Sequence, residues 1–471
     1  MKKNTLYKFA LSAFLLWAPL SLSAQEPKAF GKPVSANPEN GLIRCATTQY
    51  ETYLQEQNPK RETREHFEEW LAQKIQQKRT QRTAADITGV IRIPVVVHVI
   101  HNGDAVGSGE NISDAQILSQ ITVLNQDYRR MAGTPGHNTI AVGADMEIEF
   151  VMAQTDPNGN LTNGIDRRNL GRESWTTYNS MEATLKPQTS WDPTKYFNIW
   201  VCRFGANTSD ETYDLLGYAQ FPTSSTLGGI DDDIDGGPDN TDGVLIGFEY
   251  FGSATLAPNG NYGDSDNVYR YGRTATHEIG HCLGLLHISG DDFSFSSCTV
   301  NAQDSTKDYC PDTPATRRYN YGCTPGNSCT ASPGNDMIEN YMEYTDDSCM
   351  NVFTQDQKNR MRTVMENSPN RVDLLTSTVM NPPSASVAKF SILNGLHLYP
   401  NPVQNVLNIN VSTNALPDSY TVYNSIGQAV GSAKITSEAN LTLDTSNYSN
   451  GVYFIKVDAG KQSRTLKFVK N

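Results

Sequence analysis

Residues 276–287 read THEIGHCLGLLH, and no other stretch limits the possible fold as tightly. His277 and His281 are four apart, so on a helix they share one face and can reach a single metal ion. Glu278 is rotated off that face yet stays close enough to reach a water beside the metal. Gly284 can take a positive φ, which ends the helix and turns the chain sharply. The turn lets His287 complete a three-histidine zinc site whose fourth position is open. Zinc would acidify a water there, and Glu278 would take its proton as the water attacks a carbonyl. The competing reading, a core helix with incidental histidines, would bury three imidazoles on one turn without partners.

The rest of the chain suits an exported hydrolase. Of 471 residues, 38 are Lys or Arg and 51 Asp or Glu, a net charge of −13. This balance argues against nucleic acid or an anionic membrane as partner, since both need a basic face. Lys2 and Lys3 precede an apolar run from Phe9 to Leu22, with small Ala24 before Gln25, the order of a signal peptide over 1–24. No later segment is long and apolar enough to span a bilayer. Export makes the eight cysteines readable as possible disulfides. Cys298, Cys310, Cys323, Cys329 and Cys349 crowd after the histidines, and Cys202 in FNIWVCRF reads as a buried free thiol.

Residues 25–82 are polar except for REHFEEWLAQKIQQ, where Phe67, Trp70, Leu71 and Ile75 recur at helical spacing. The basic run KRTQRT that follows is a natural processing site, so 25–82 reads as a propeptide, or as an arm that merely packs on the domain. Residues 83–370 form the main domain. It opens on RIPVVVHVIH, a β-branched run expected to be a buried strand. A helix follows, with a Ser113/Gln116 capping box and Ile117, Ile121, Leu124 and Tyr128 on one face. MEIEFVM, FNIWVCRF and GVLIGFEYF are three further strands. DDDIDGGPDNTDG reads as a solvated loop, with calcium binding the lesser alternative. Strands and helices alternate up to 287, after which the chain is irregular and cysteine-rich. A Ser/Pro/Ala-rich connector spans 371–392. From 393 to 471, LNINVS, YTVYNS, LTLDTS, GVYFIKV and RTLKFVK predict a small β-sandwich.

The long histidine motif resembles that of the metzincin metallopeptidases. The resemblance implies an α/β catalytic domain, a twisted sheet plus active-site helix over a loop-rich lower half. It also implies a methionine turn, and Met342 in NYMEYTDDSC lies 55 residues after His287, with Tyr344 two further on. In metzincins that carry it, this tyrosine contacts the metal or the oxyanion; a core tyrosine is the alternative. GRTATHEIGHCLGLLH, the following GDD, CPDTP and NYMEYTDDSCMNVFT are similar to the pappalysin family over roughly 83–365. That likeness implies a calcium site using Asp308 and the carbonyls of Pro311 and Thr313. It implies disulfides Cys298–Cys329 and Cys323–Cys349, leaving Cys310 unpaired. It further implies that Cys45, in GLIRCATTQYE, places a thiolate in the open zinc position of the precursor. A structural thiol, or pairing with an odd cysteine such as Cys310, is the other reading of Cys45. Some bacterial relatives select Arg or Lys after the scissile bond with an acidic residue just before the last disulfide cysteine. Ser348 stands there, with Asp346 and Asp347 upstream, which argues against basic specificity. YPNP, GVYFIKV and the final LKFVK resemble the C-terminal sorting domain of type IX secretion cargo.

The expectation is therefore a secreted zinc endopeptidase made as a zymogen, acting on protein or peptide substrates, with calcium as second ion and the type IX machinery as partner. A non-catalytic binding protein on the same scaffold is the alternative, and the intact Glu278 speaks against it.

Overall fold

The run IRIPVVVHVIH becomes the spine of the main domain. The computed structural model describes residues 27–80, 89–225, 238–263, 268–291, 298, 308–332, 334–383, 393, 396–411, 416–460 and 462–471. The segment read as a signal peptide, the end of KRTQRT, most of the acidic loop, Asp292 of the GDD element and residues 384–392 of the Ser/Pro/Ala connector lie outside the described residues. No helix among the described residues is long and apolar enough to cross a membrane.

Strand β1 (Ile91–His101) is buried along nearly its whole length because its alternate side chains pack into core on both faces, Ile93, Val95 and Val97 on one and Val96 and Ile100 on the other. Strands β2 (Ile148–Met152) and β3 (Ile165–Asn169) each run parallel to half of one edge, and β4 (Phe197–Cys202) runs parallel to the other. A strand covered on both faces needs no polar alternation, which is why β1 and β4 read as continuous apolar runs. β5 (Gly217–Ala219) is the exception in direction. It lies antiparallel on β6 (Val244–Gly247), giving the order β2-β1-β4-β6-β5. β5 is thus the last strand of this sheet, and its outward main-chain groups pair with the N-terminal arm: Gly217 O accepts the Ala46 N–H and the Ala219 N–H donates to the Thr47 hydroxyl. Two expected strands are shorter than their apolar patterns. MEIEFVM extends only from Ile148, and GVLIGFEYF turns into a 3₁₀ turn at Phe248–Tyr250.

Helices α1 (Thr47–Gln57) and α2 (Arg64–Thr80) belong to the N-terminal arm. Phe67 and Leu71 of α2 pack on Phe221, Leu286 and Val364, and burying such a pair contributes about 3–6 kcal/mol. Helix α3 (Asp114–Tyr128) buries Ile117, Ile121, Leu124 and Tyr128 in the main core. Only half of its expected capping box forms. Ser113 accepts from the Gln116 N–H, but the Gln116 amide donates to the carbonyls of Phe248, Phe251 and Asn261 and straps that loop down. Helices α4 (Arg273–Cys282) and α5 (Gln355–Asn367) complete the core.

The chain divides into two units at Pro382/Pro383. The expected connector began at 371, but Arg371 is a buried part of the first unit. It pairs with Asp242 at 2.6 and 2.8 Å and donates to the Cys282 carbonyl. Asp242 is the buried end of the loop that reads as solvated in sequence. The second unit has a three-stranded sheet, β7 (His397–Tyr399), β8 (Val406–Asn410) and β11 (Thr442–Asp444). A four-stranded sheet joins β9 (Ser419–Asn424), β10 (Ala429–Lys434), β12 (Gly451–Ala459) and β13 (Gln462–Lys470). Leu407, Ile409, Val422, Ile455 and Phe468 fill the space between them.

Candidate active site

All ten residues of α4 are buried, and the two glycines flanking its end explain its position. Gly284 takes φ 88°, and a Cβ there would lie 2.7 Å from Val364 Cγ2, so the turn admits no side chain. Leu285 N–H closes the turn on the Gly280 carbonyl, and the chain doubles back to bring His287 beside the helix. At Gly280 a Cβ would lie 2.5 Å from Met342 Sδ. The missing methyl is what lets the methionine seat against the helix that carries His277 and His281.

The three Nε2 atoms form a nearly equilateral triangle of 3.1, 3.1 and 3.2 Å. Each Nδ1 already has an oxygen. His277 donates to the Tyr341 carbonyl at 2.7 Å, His281 to the Leu285 carbonyl at 2.8 Å, and His287 to Asp291 Oδ1. Two of these acceptors are carbonyls and the third a carboxylate, so the Nδ1 atoms carry the protons and the Nε2 lone pairs converge. Burial and mutual repulsion push His277 well below the usual range and His281 down to about 3. Burial alone would raise Asp291, but His287 and Arg64 hold it below its usual value. Converging lone pairs at this spacing need a shared cation. Tetrahedral zinc with bonds of about 2.0–2.1 Å asks for nitrogens about 3.3 Å apart, close to the triangle observed.

The face of the triangle turned away from the helix belongs to the arm. Cys45 Sγ and the three histidine nitrogens all lie within 4.8 Å of one another. Burial and the Glu278 carboxylate push the Cys45 thiol well up, so a cation at the triangle is what would hold it as thiolate. Glu278 Oε2 lies 3.4 Å from Cys45 Sγ and accepts the Thr47 hydroxyl at 2.8 Å. Burial raises its carboxyl to about 8 against those hydrogen bonds. The arm also borrows the free edge of β5. Ile43 bridges Leu215 in parallel, and main-chain bonds run from Leu216 N to Ile43 O and from Ala46 N to Gly217 O. Tyr344 OH donates to the Cys45 carbonyl at 3.5 Å. One residue before the thiol, Arg44 is fully buried, with Nη1 2.9 Å from Asp347 Oδ1. Asp347 Oδ2 accepts the N–H groups of Tyr271 and Arg273, which aims the other oxygen at the guanidinium.

The structure therefore gathers Cys45, His277, Glu278, His281, His287, Met342 and Tyr344 at one place. It leaves Asp308, Pro311 and Thr313 in a separate turn. There the Asp308 carboxylate accepts from the Cys310 N–H and the Thr313 hydroxyl. Cys298 is bonded to Cys329 and Cys323 to Cys349, while Cys45, Cys202, Cys282 and Cys310 are free and buried. Sequence reasoning missed Arg44, Thr47, Asp291 and Asp347 as site residues. The GDD and TDDSC elements carried two of them without marking a role. Arg44 and Thr47 carry no signal outside their neighbourhood to Cys45.

Residues 244–366 match the family model described as pregnancy-associated plasma protein-A, and 397–471 match the secretion system C-terminal sorting domain. An extracellular metalloprotease of Colletotrichum graminicola is 31% identical over 62% of this chain and 84% of its own length. One from Arthroderma benhamiae is 28% identical over 63% and 85%. The solved structure of a Tannerella forsythia promirolysin mutant is 35% identical and covers 70% of this chain and 96% of that one, with a TM-score of 0.52.

Proposed function

The chain belongs to the pappalysin family of secreted zinc metalloendopeptidases, and on that premise we propose how its cleft works and how it is kept shut. The observation that carries the reading is the triangle of Nε2 lone pairs, each fixed in tautomer by an oxygen on the far side of its ring. His277, His281 and His287 would hold zinc, which would supply Lewis acidity to polarise a carbonyl and acidify a water. Glu278, beside the triangle, receives the proton of the attacking water and passes it to the leaving amine. The Tyr344 hydroxyl, which donates to the Cys45 carbonyl in the precursor, donates to the scissile carbonyl oxygen of a substrate. The edge of β5 holds substrate main chain where it holds the arm. In the precursor, Cys45 would be the fourth residue holding the metal, Thr47 occupies the base, and the arm through residue 82 would have to be cut away.

The seat of Arg44 supports a substrate preference as well. The buried place where the Arg44 guanidinium meets Asp347 would take a basic side chain next to the residue at the metal, and so would select Arg or Lys beside the scissile bond. Asp347 serves this purpose although Ser348 occupies the position before the disulfide cysteine. Calcium on Asp308 and the carbonyls of Pro311 and Thr313 is a second part of the proposal, supported by an all-oxygen donor set. The C-terminal sandwich directs export by the type IX machinery. The decisive experiment combines metal analysis with casein cleavage before and after chelation. One bound zinc, chelator-sensitive cleavage, and loss of cleavage with zinc retained in Glu278→Ala are expected; cleavage that survives Glu278→Ala would overturn the general-base role.

A further inference from the structure

A second tyrosine lies against the metal centre, and the chemistry above does not use it. Tyr319 comes from the loop between CPDTP and Cys323, where no motif points to it. Its ring stacks face to face on Tyr344, with centroids 4.0 Å apart and planes 4° from parallel. Its edge meets His287 at 5.3 Å, and Tyr344 meets the same imidazole at 5.0 Å. Both tyrosines are buried. One face of Tyr344 is thus covered by a flat partner, and its edge-on contacts with His277 and His287 hold it at the rim of the stack.

The stack is held by a separate clamp. Glu343, the residue before Tyr344, is almost fully buried. Its carboxylate accepts the Asn320 N–H at 2.9 Å, the Asn320 side-chain amide at 3.0 Å and the Tyr344 N–H at 2.9 Å. One side chain therefore ties the residue after Tyr319 to the main chain of Tyr344. The Cys323–Cys349 disulfide fastens the same loop to the chain beyond the methionine turn. Two strands of irregular chain are locked in register at the point where their rings overlap. An oxyanion donor needs this kind of support, because a displacement of about 1 Å can cost about 100-fold in rate.

We propose that Tyr319 is a positioning residue, holding the Tyr344 hydroxyl by the face-to-face stack at the place where a bound carbonyl oxygen lies, with Glu343 setting the register of the two rings. The inference rests on the reading of Tyr344 as the donor to the scissile carbonyl. The energetic role belongs to the ring of Tyr319 and acts through another side chain, so its loss should appear in turnover and not in substrate binding.

The test uses full-length chain activated by cleavage of its arm, with zinc content and melting temperature measured for every variant. Tyr319→Leu is expected to lower kcat about tenfold or more with KM within about twofold of wild type. Tyr319→Phe keeps the ring and should bring kcat back to within about threefold of wild type. In a Tyr344→Phe background, which lacks the hydroxyl to be positioned, adding Tyr319→Leu should cost less than about twofold. Equal losses in both backgrounds, a loss confined to KM, or no loss at all would overturn the proposal. If Tyr319→Leu does not fold, Glu343→Gln loosens the clamp with little change in volume, and the same non-additivity with Tyr344→Phe is required of it. Failure of the reading of Tyr344 is separately visible, because Tyr344→Phe alone would then leave kcat unchanged.

Discussion

Replacing Asp347 with Asn removes the charge that the buried Arg44 guanidinium meets at 2.9 Å, while keeping the shape of the pocket floor. Both side chains of this pair are fully buried, so the attraction is poorly screened and leaving one partner unpaired is costly. A hydrogen bond to a charged group is worth about 1.5–3 kcal/mol, and breaking a buried pair costs about 3–5 kcal/mol. For a substrate whose Arg occupies this pocket, a loss of about 2–4 kcal/mol is expected, a fall in kcat/KM of about 30- to 1000-fold. The same peptide with Leu in place of Arg has no charge to lose and should change by less than about threefold. The assay is kcat/KM for the two matched peptides on activated wild type and Asp347→Asn. Asp347 has a second attachment, since its other oxygen accepts the N–H groups of Tyr271 and Arg273 at the start of α4. Equal losses on both peptides would therefore mean that Asp347 supports the helix and does not read the substrate, and the specificity argument would be refuted.

Removing the thiol by Cys45→Ala should make the intact precursor leak activity or cut its own arm faster, read as cleavage over time on a gel; a precursor as silent and stable as wild type would make the block steric. Gly280→Ala drives a Cβ to 2.5 Å from Met342 Sδ, so a destabilisation of about 1–3 kcal/mol is expected by denaturant titration, and an unchanged midpoint would contradict the seating of the thioether. Melting temperature with calcium and with a calcium-selective chelator should differ if Asp308 anchors an ion; identical values remove that site.

The long histidine motif was legible in sequence because a helix, a glycine turn and a short loop are local. Spacing alone places His277, His281 and His287 within reach of one ion. The continuous apolar runs of β1 and β4 were legible for a similar reason, since burial on both faces leaves its mark along the strand itself. β5 left none: Gly217–Ala219 is three residues long, and its importance comes from lying at the edge beside the cleft. Arg44 and Asp347 are 303 positions apart, and an ordinary basic residue and an ordinary acidic one carry no mark of their pairing. Gln116 shows a local rule overridden, its capping role given up for three carbonyls that only the folded chain brings near. Tyr319 is the clearest case. Its sequence neighbourhood is an irregular loop, and only the clamp of Glu343 on Asn320 lays it across Tyr344. The three histidines were brought together by short-range geometry; the arm's seat beside them, the Arg44–Asp347 pair and the tyrosine stack depend on contacts between distant segments, which exist only once the core has closed and fixed where those segments meet.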